Sequence, residues 1–572
     1  MERYDRAKLS AGGEVFDRSA KSVTPSPAAR QALGIGPDAP AEMMPNELIR
    51  AILQAPVDLL WNGGIGTYVR AARESDVEVG DRANDGVRIA GKAIRARVVG
   101  EGGNLGFTQR GRIEYARSGG RINTDFIDNS AGVDTSDHEV NLKILLGLAV
   151  GRGQLTMSER NELLQACVDD VVAHVLYDNY LQAQILSQEV ERSSERLDAY
   201  EDLMELLEAD GELERDVEFL PTAEEMLERR TQGEGMTRPE LAVLLAYAKR
   251  SIYAELLTSD IPDSEYLLTD LRGYFPPAMR ERFRDLILEH PLRRELVATI
   301  VANDVVNSQG VTFVSRMMTE TGSPLATVVR AYRIARDVTG AVDRWASIEG
   351  LDGAIDPGVQ AELMDGVDWL VETASRWYLA HAGTQRLSEA VGDQRAAFAE
   401  LSSVIERIGT DAWREEHEQR AKHLVAAGVP EEVARRHAFQ GELVHGPDII
   451  TVAHATGRSV LEAARAFFVI GERVGLDWLE TQLESLPVGT QWQRWAARAL
   501  EDDLYLVRRH LVEKVIVDSG GGDVDAAVDG FLDRRADAVA RLEAFTRSLA
   551  LDGVSDLAQF TVALRQIRTL LS

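Results

Sequence analysis

Cysteine is almost absent: Cys167 stands alone in 572 residues, which excludes an internal disulfide and any cysteine-rich metal site. It lies in LLQACVDDVVAHVL, apolar at helical spacing, so a buried, unreactive thiol is expected rather than a nucleophile. Lysine is scarce too, confined to Lys8, Lys21, Lys92, Lys143, Lys249, Lys422 and Lys514. Lys and Arg together number 63 against 93 Asp and Glu, a net charge of -30 with a pI near 4.8. Such a chain lacks the clustered positive charge that grips a phosphate backbone, so neither nucleic acid nor an anionic membrane is an expected partner. No uncharged apolar run approaches the ~18 residues of a membrane span. The opening MERYDRAKLSAGGEVFD has no apolar stretch of the secretory kind, and a cytoplasmic location is expected.

What is present is a globular composition, 45% hydrophobic, long enough for several domains. Short β-branched or apolar runs at 55–61, 87–89, 94–99 and 121–127 read as strands. Helical patterns at 45–54 and 108–116 alternate with them, which implies a parallel sheet. From about residue 150 the period becomes helical and stays so. The expected fold is therefore α/β followed by all-α: a partial doubly wound, Rossmann-like domain over residues 1–150, then a large helical region over 151–572, in which LDGAIDPG at 351–358 reads as a linker between two subdomains. Capping boxes are read at Thr237-x-x-Glu240, at Ser459-x-x-Glu462 opening a helix that stops near Gly471, and at Asp477-x-x-Glu480. His417 and His423, among glutamates, read as a solvated helix face.

Residues 97–143, RVVGEGGNLGFTQRGRIEYARSGGRINTDFIDNSAGVDTSDHEVNLK, carry the most information. Two Gly/Asn turns follow two strand-like runs, the position at which α/β enzymes hold ligands. Gly102 and Gly103 let the backbone approach a ligand closely, and Gly63 sits in a second loop at the carboxyl edge of the sheet. By spacing alone Asn104 and Asn129 are as well explained as turn-formers. Ser136, with Glu139 three residues on, reads as a helix N-cap whose free N–H groups could receive a carboxylate. Asp134, Asp137, His138 and Glu139 are too close in sequence to converge on one ion, and no metal is expected. Neither Gly100-x-Gly102 nor Gly64-x-Gly66 completes the G-x-G-x-x-G that cradles a pyrophosphate.

The turns Glu101-Gly102-Gly103-Asn104 and Asn129-Ser130-Ala131-Gly132-Val133-Asp134-Thr135-Ser136-Asp137-His138-Glu139 resemble the E-G-A-N and N-A-G-G-V-x-x-S-x-x-E segments of glutamate dehydrogenases. PVDLLWNGGIGTYV, SDHEVNLKILL, MTRPELAVLLAYAK and ANDVVNSQGVTF are similar to the large bacterial NAD-dependent branch, and the resemblance covers nearly the whole chain. It implies oxidative deamination of L-glutamate to 2-oxoglutarate and ammonia with NAD, in a homo-oligomer. Asn104, Asn129, Gly102, Gly103 and Gly63 would line the cofactor side, and Ser136 would contact the substrate carboxylate. The family's catalytic lysine and aspartate have no counterpart here and are expected upstream, the chain entering part-way through the catalytic domain. The alternative is a catalytically incomplete helical scaffold with inherited motifs. A self-contained dehydrogenase using Asp128 or Asp137 as base has less support, because no pyrophosphate cradle is found.

Overall fold

The protein is 71% helical, and among the described residues its small parallel sheets lie in the first part of the chain. The computed structural model describes residues 5–383, 385–409, 411–518, 522–553 and 556–571. The sheets comprise β1 (Leu59–Asn62), β2 (Val69–Arg70), β3 (Ile89–Ala90), β4 (Val98–Glu101) and β5 (Arg121–Ile122). β1, β4 and β5 form one parallel sheet in that order, and β2 pairs with β3 in another. Parallel neighbours need a crossover, and helix α1 (Gln109–Arg117) supplies the one from β4 to β5. Val99, Ile122, Val69, Ile89, Phe107 and Tyr115 make the common core. The Tyr115 hydroxyl satisfies itself on the Ala96 carbonyl at 2.7 Å.

Each of the four apolar runs gives a strand shorter than itself, and β2 is a fifth, two-residue strand where no run was expected. The run at 121–127 ends as a strand at Ile122, because Asp125 and Asp128 turn the chain into the short helix α2 (Asp125–Asp128) and spend their carboxylates on distant backbone. Asp128 accepts from the Glu101 N–H at 2.8 Å and from the Asn123 amide at 2.6 Å. Asp125 accepts from the Leu105 N–H at 2.8 Å. α3 (Ser130–Gly151) follows directly, packed on α4 (Val168–Arg192), whose Asn179 amide donates to the Ile127 carbonyl and the Ser130 hydroxyl. Cys167, between α4 and the preceding helix, is buried, and burial pushes its thiol further from ionisation.

Two compact units divide at Ser315 and Arg316. The second is helical throughout its described residues. Within 351–358, residues 351–356 belong to the turn between two of its helices, Ala341–Glu349 and Pro357–Ala382, which pack on each other. Sequence patterning needs correcting at three points in it. The helix opened by Ser459 runs through Gly471 to Val474 and stops at left-handed Gly475. Asp477 and Glu480 do not cap the next helix; they reach the buried guanidinium of Arg508 at 2.8 and 3.4 Å. His417 is buried, its ring nitrogens on the Trp413 carbonyl and Glu442, and only His423 is exposed.

Glu101 and Arg112 form a buried ion pair in the first unit, the carboxylate side chain fully buried and the guanidinium nearly so. Removing one partner of a buried pair strands the other, at a cost of about 3–5 kcal/mol. Arg112→Met should lower the stability of the first unit by that amount in urea titrations, while the Glu101→Leu/Arg112→Met double variant should recover most of it. A single-variant loss below about 1 kcal/mol, the range of exposed pairs, would contradict the assignment.

Candidate active-site cleft

The turn after β4 is built by side chains rather than by glycine alone. Arg112 Nε donates to Glu101 Oε2 at 2.6 Å and its Nη2 to Oε1 at 3.1 Å, while Asp125 Oδ2 lies 3.2 Å from the same guanidinium. Glu101 Oε1 also accepts from the Phe107 N–H at 3.1 Å, closing residues 101–107 into a loop around the carboxylate. Desolvation pushes the Glu101 carboxyl up, and Arg112 opposes that shift. Within the loop Leu105 takes a left-handed backbone with φ +62°, strained for a residue with a Cβ. The Asp125 bond to its N–H and the Thr67 hydroxyl on its carbonyl, 2.8 Å each, hold it there.

The loop leans on the one after β1. The Gly103 N–H donates to the Asn62 carbonyl at 3.0 Å, and a Cβ on Gly103 would lie 2.5 Å from the Gly64 carbonyl oxygen, closer than backbone permits. Gly63, Gly102 and Gly103 are therefore neighbours at the carboxyl end of the sheet. The Asn129 amide donates to the Asn104 side-chain oxygen at 2.9 Å. Two asparagines that spacing alone leaves as unrelated turn-formers thus meet, and Asn104 is exposed.

Ser136 requires a correction. The helix it was expected to cap starts six residues earlier, at Ser130, with Asn129 in the cap position and its amide committed to Asn104 rather than to the helix. Ser136 lies inside α3, where the backbone N–H groups are already bonded, so no free helix terminus stands beside it. It is exposed. At seven residues from Asn129 it lies two turns along, on the same face and about 10 Å away along the axis. Asp128 is bonded as described above, which leaves it a positioning group for Glu101 and not a free base. Asp137 is exposed.

The opposite face of α3 holds a group that the reading of consecutive residues missed. Asp137 and Glu139 do point to solvent, but Asp134 and His138, one turn apart, point together toward His174 and Asp178 on α4. His138 is buried, stacks on Tyr274 with ring centroids 4.2 Å apart, and lies 4.7 Å from the His174 ring. Burial, then the charge of Asp178, pushes Asp134 up to about 7; burial, then His174, pushes His138 down to about 4. Burial also brings Lys249, which faces the two carboxyls, down to about 7. The available signal was the pair of i,i+4 spacings, Asp134/His138 and His174/Asp178.

Comparison with known proteins accounts for both ends of the chain. A model of the catalytic domain of bacterial NAD-glutamate dehydrogenase matches residues 1–189, and a model of the C-terminal part of glutamate dehydrogenase matches 233–569. NAD-specific glutamate dehydrogenases of Pseudomonas aeruginosa and Halomonas elongata are each 42% identical to this chain, and that of Mycobacterium tuberculosis 38%, in every case over 99% of it. The chain spans 35% of the length of these relatives. By these matches, and by the two motifs it folds against each other, the chain belongs to the family of the bacterial NAD-dependent glutamate dehydrogenases.

Proposed function

We propose that this chain forms the nicotinamide and substrate-carboxylate side of a glutamate dehydrogenase that oxidatively deaminates L-glutamate to 2-oxoglutarate and ammonia. The observation that carries the reading is the Asn129–Asn104 hydrogen bond, which joins the two family motifs into one surface. Bound NAD would accept the hydride from the substrate's α-carbon. The residues fit its nicotinamide end through Asn104, whose exposed amide is oriented by Asn129; the space beside Gly63 and Gly102 is taken by Trp61 and that beside Gly103 by Gly64, so these glycines serve the packing of the two loops. They do not fit its pyrophosphate, since no glycine fingerprint is complete. We assign that cradle, with the catalytic lysine and aspartate, to the part of the relatives that this chain does not span.

Ser136, on the face of α3 that carries Asn129, donates its hydroxyl to the distal carboxylate of glutamate. Val133 and Val140 are exposed on the same face and would flank the substrate's methylenes. β1 is the edge of its sheet, and its Leu59 and Trp61 are 54% and 60% exposed, which supports a doubly wound, Rossmann-like sheet continued by further strands. Residues 1–150 would then be the partial catalytic domain, and the helical region from 151 would support it and mediate homo-oligomer assembly. No helix among the described residues is long and apolar enough to cross a membrane; a cytoplasmic location is part of the proposal.

NADH formation from L-glutamate should appear in this chain extended upstream to the length of its relatives, and be absent from the 572-residue chain alone. No turnover by the extended, folded protein would favour the scaffold reading. In the extended form Ser136→Ala should raise KM for glutamate about 10- to 100-fold, the worth of a hydrogen bond to a charged group, leaving KM for NAD within about twofold. Asn104→Ala should do the reverse, raising KM for NAD about 2- to 10-fold, as for a neutral hydrogen bond. Unchanged constants in both variants would remove these residues from the site.

A further inference from the structure

Two helices present matched pairs of ligand-type side chains to each other in the first unit. Asp134 and His138 are one turn apart on α3, and His174 and Asp178 are one turn apart on α4. An i,i+4 pair places two side chains on one helix face, the arrangement by which a single helix supplies two ligands to a metal. The ligand atoms of His138, His174 and Asp178 all lie within 4.8 Å of one another. Tetrahedral coordination at ~2.0–2.2 Å would bring them to about 3.4 Å apart, a closure within reach of side-chain rotation.

A plain hydrogen-bonded core does not account for the group. His138 is 1% exposed, yet neither ring nitrogen has a hydrogen-bond partner, and Asp134 Oδ2 is also buried without one. Leaving such atoms unpaired costs about 1–3 kcal/mol each. His138 is already oriented for another use: its ring is stacked on Tyr274, whose hydroxyl is held by the Asn141 amide at 3.1 Å. Asp134 Oδ1 lies 3.7 Å from His138 Nε2, the carboxylate–histidine relation that orients an imidazole ligand. The side chains of His174 and Asp178 keep 35% and 34% exposure, which gives an ion a way in and a solvent molecule the fourth position.

We propose that His138, His174 and Asp178 form a binding site for one divalent transition-metal ion of the zinc type, with Asp134 as the carboxylate that orients His138. Two imidazoles and a carboxylate are the donor set that zinc and cobalt accept and that calcium and magnesium do not prefer. The charge of Lys249 acts on both Asp178 and Asp134, so the space that would take the ion already favours a positive charge. Its consequence is mechanical. The ion would tie α3 to α4 at the level of Ser136, on the face away from Asn129, and fix the rotation of the helix that carries both. The site stands on geometry independent of the proposed catalysis.

The test is titration of the full chain, purified without a histidine tag and stripped with chelator, with Co2+ alone, followed by ligand-field absorption and then by Zn2+ competition. One equivalent should bind with a visible band of low-symmetry N/O coordination that Zn2+ abolishes. Zinc should raise the melting temperature and chelator reverse it. His174→Ala and the near-isosteric Asp178→Asn, both at half-exposed positions, should each weaken binding at least about tenfold while keeping the wild-type circular dichroism. The proposal is overturned if the wild-type chain shows no saturable band, or if the band survives unchanged in the two variants. A loss of Co2+ binding with NAD-linked turnover intact in the extended enzyme would uphold the metal site independently of the catalytic reading.

Discussion

Burial of Glu101 is the constraint on which the first unit turns. A carboxylate cannot leave water at the end of a parallel strand unless its lone pairs are answered, and here three donors do so, two of Arg112 and the Phe107 N–H, while Asp125 holds the same guanidinium from its other side. Each answer fixes a piece of chain. Arg112 anchors the crossover helix to the strand it follows, Phe107 closes the glycine loop, and Asp125 draws the strand after the crossover into a helix. Asp128 adds the Glu101 N–H to the same frame. The loop that results holds Leu105 in a left-handed conformation and leaves Asn104 projecting. The geometry of the 101–107 loop is thus a consequence of how one buried charge is compensated.

Helix α3 is the element through which that frame reaches the rest of the unit. Its first residue is bonded to α4 through Asn179, its cap residue to the glycine loop through Asn104. It is two-faced: Asn129, Val133, Ser136 and Val140 look outward, and Asp134 and His138 look toward α4. Ser136, proposed for the substrate carboxylate, and the buried titratable cluster share one helix. A rotation of α3 would move both together.

Apolar runs in the sequence marked four of the five strands of the first unit; β2, only two residues long, had no such run, and the described chain turns helical already at Asp125, just after β5. Strand lengths were not legible, because the residues that end them act over distance: Asp125 and Asp128 look like ordinary turn acids until their backbone partners at Leu105 and Glu101 are known. Ser136-x-x-Glu139 has the composition of a capping box but occurs inside a helix, and only the start at Ser130 distinguishes the two. Asp477-x-x-Glu480 misled in the same way, drawn inward by Arg508, some thirty residues downstream. The meeting of Asn104 with Asn129 was implied by family resemblance and not by spacing. For the His138 cluster each half was visible as an i,i+4 pair, and the missing information was that α3 and α4 face each other.

Amide hydrogen exchange across residues 98–136, compared between the wild-type chain and Arg112→Met, addresses the claim that one compensated charge sets the cleft. Exchange at Glu101, Gly103, Leu105 and Phe107 should accelerate together, since their N–H groups are bonded to Asp128, Asn62, Asp125 and Glu101, while the interior of α3 from Asn141 onward keeps its protection. Uniform acceleration throughout the first unit would show only global destabilisation. Unchanged protection in the 101–107 loop would contradict the claim outright.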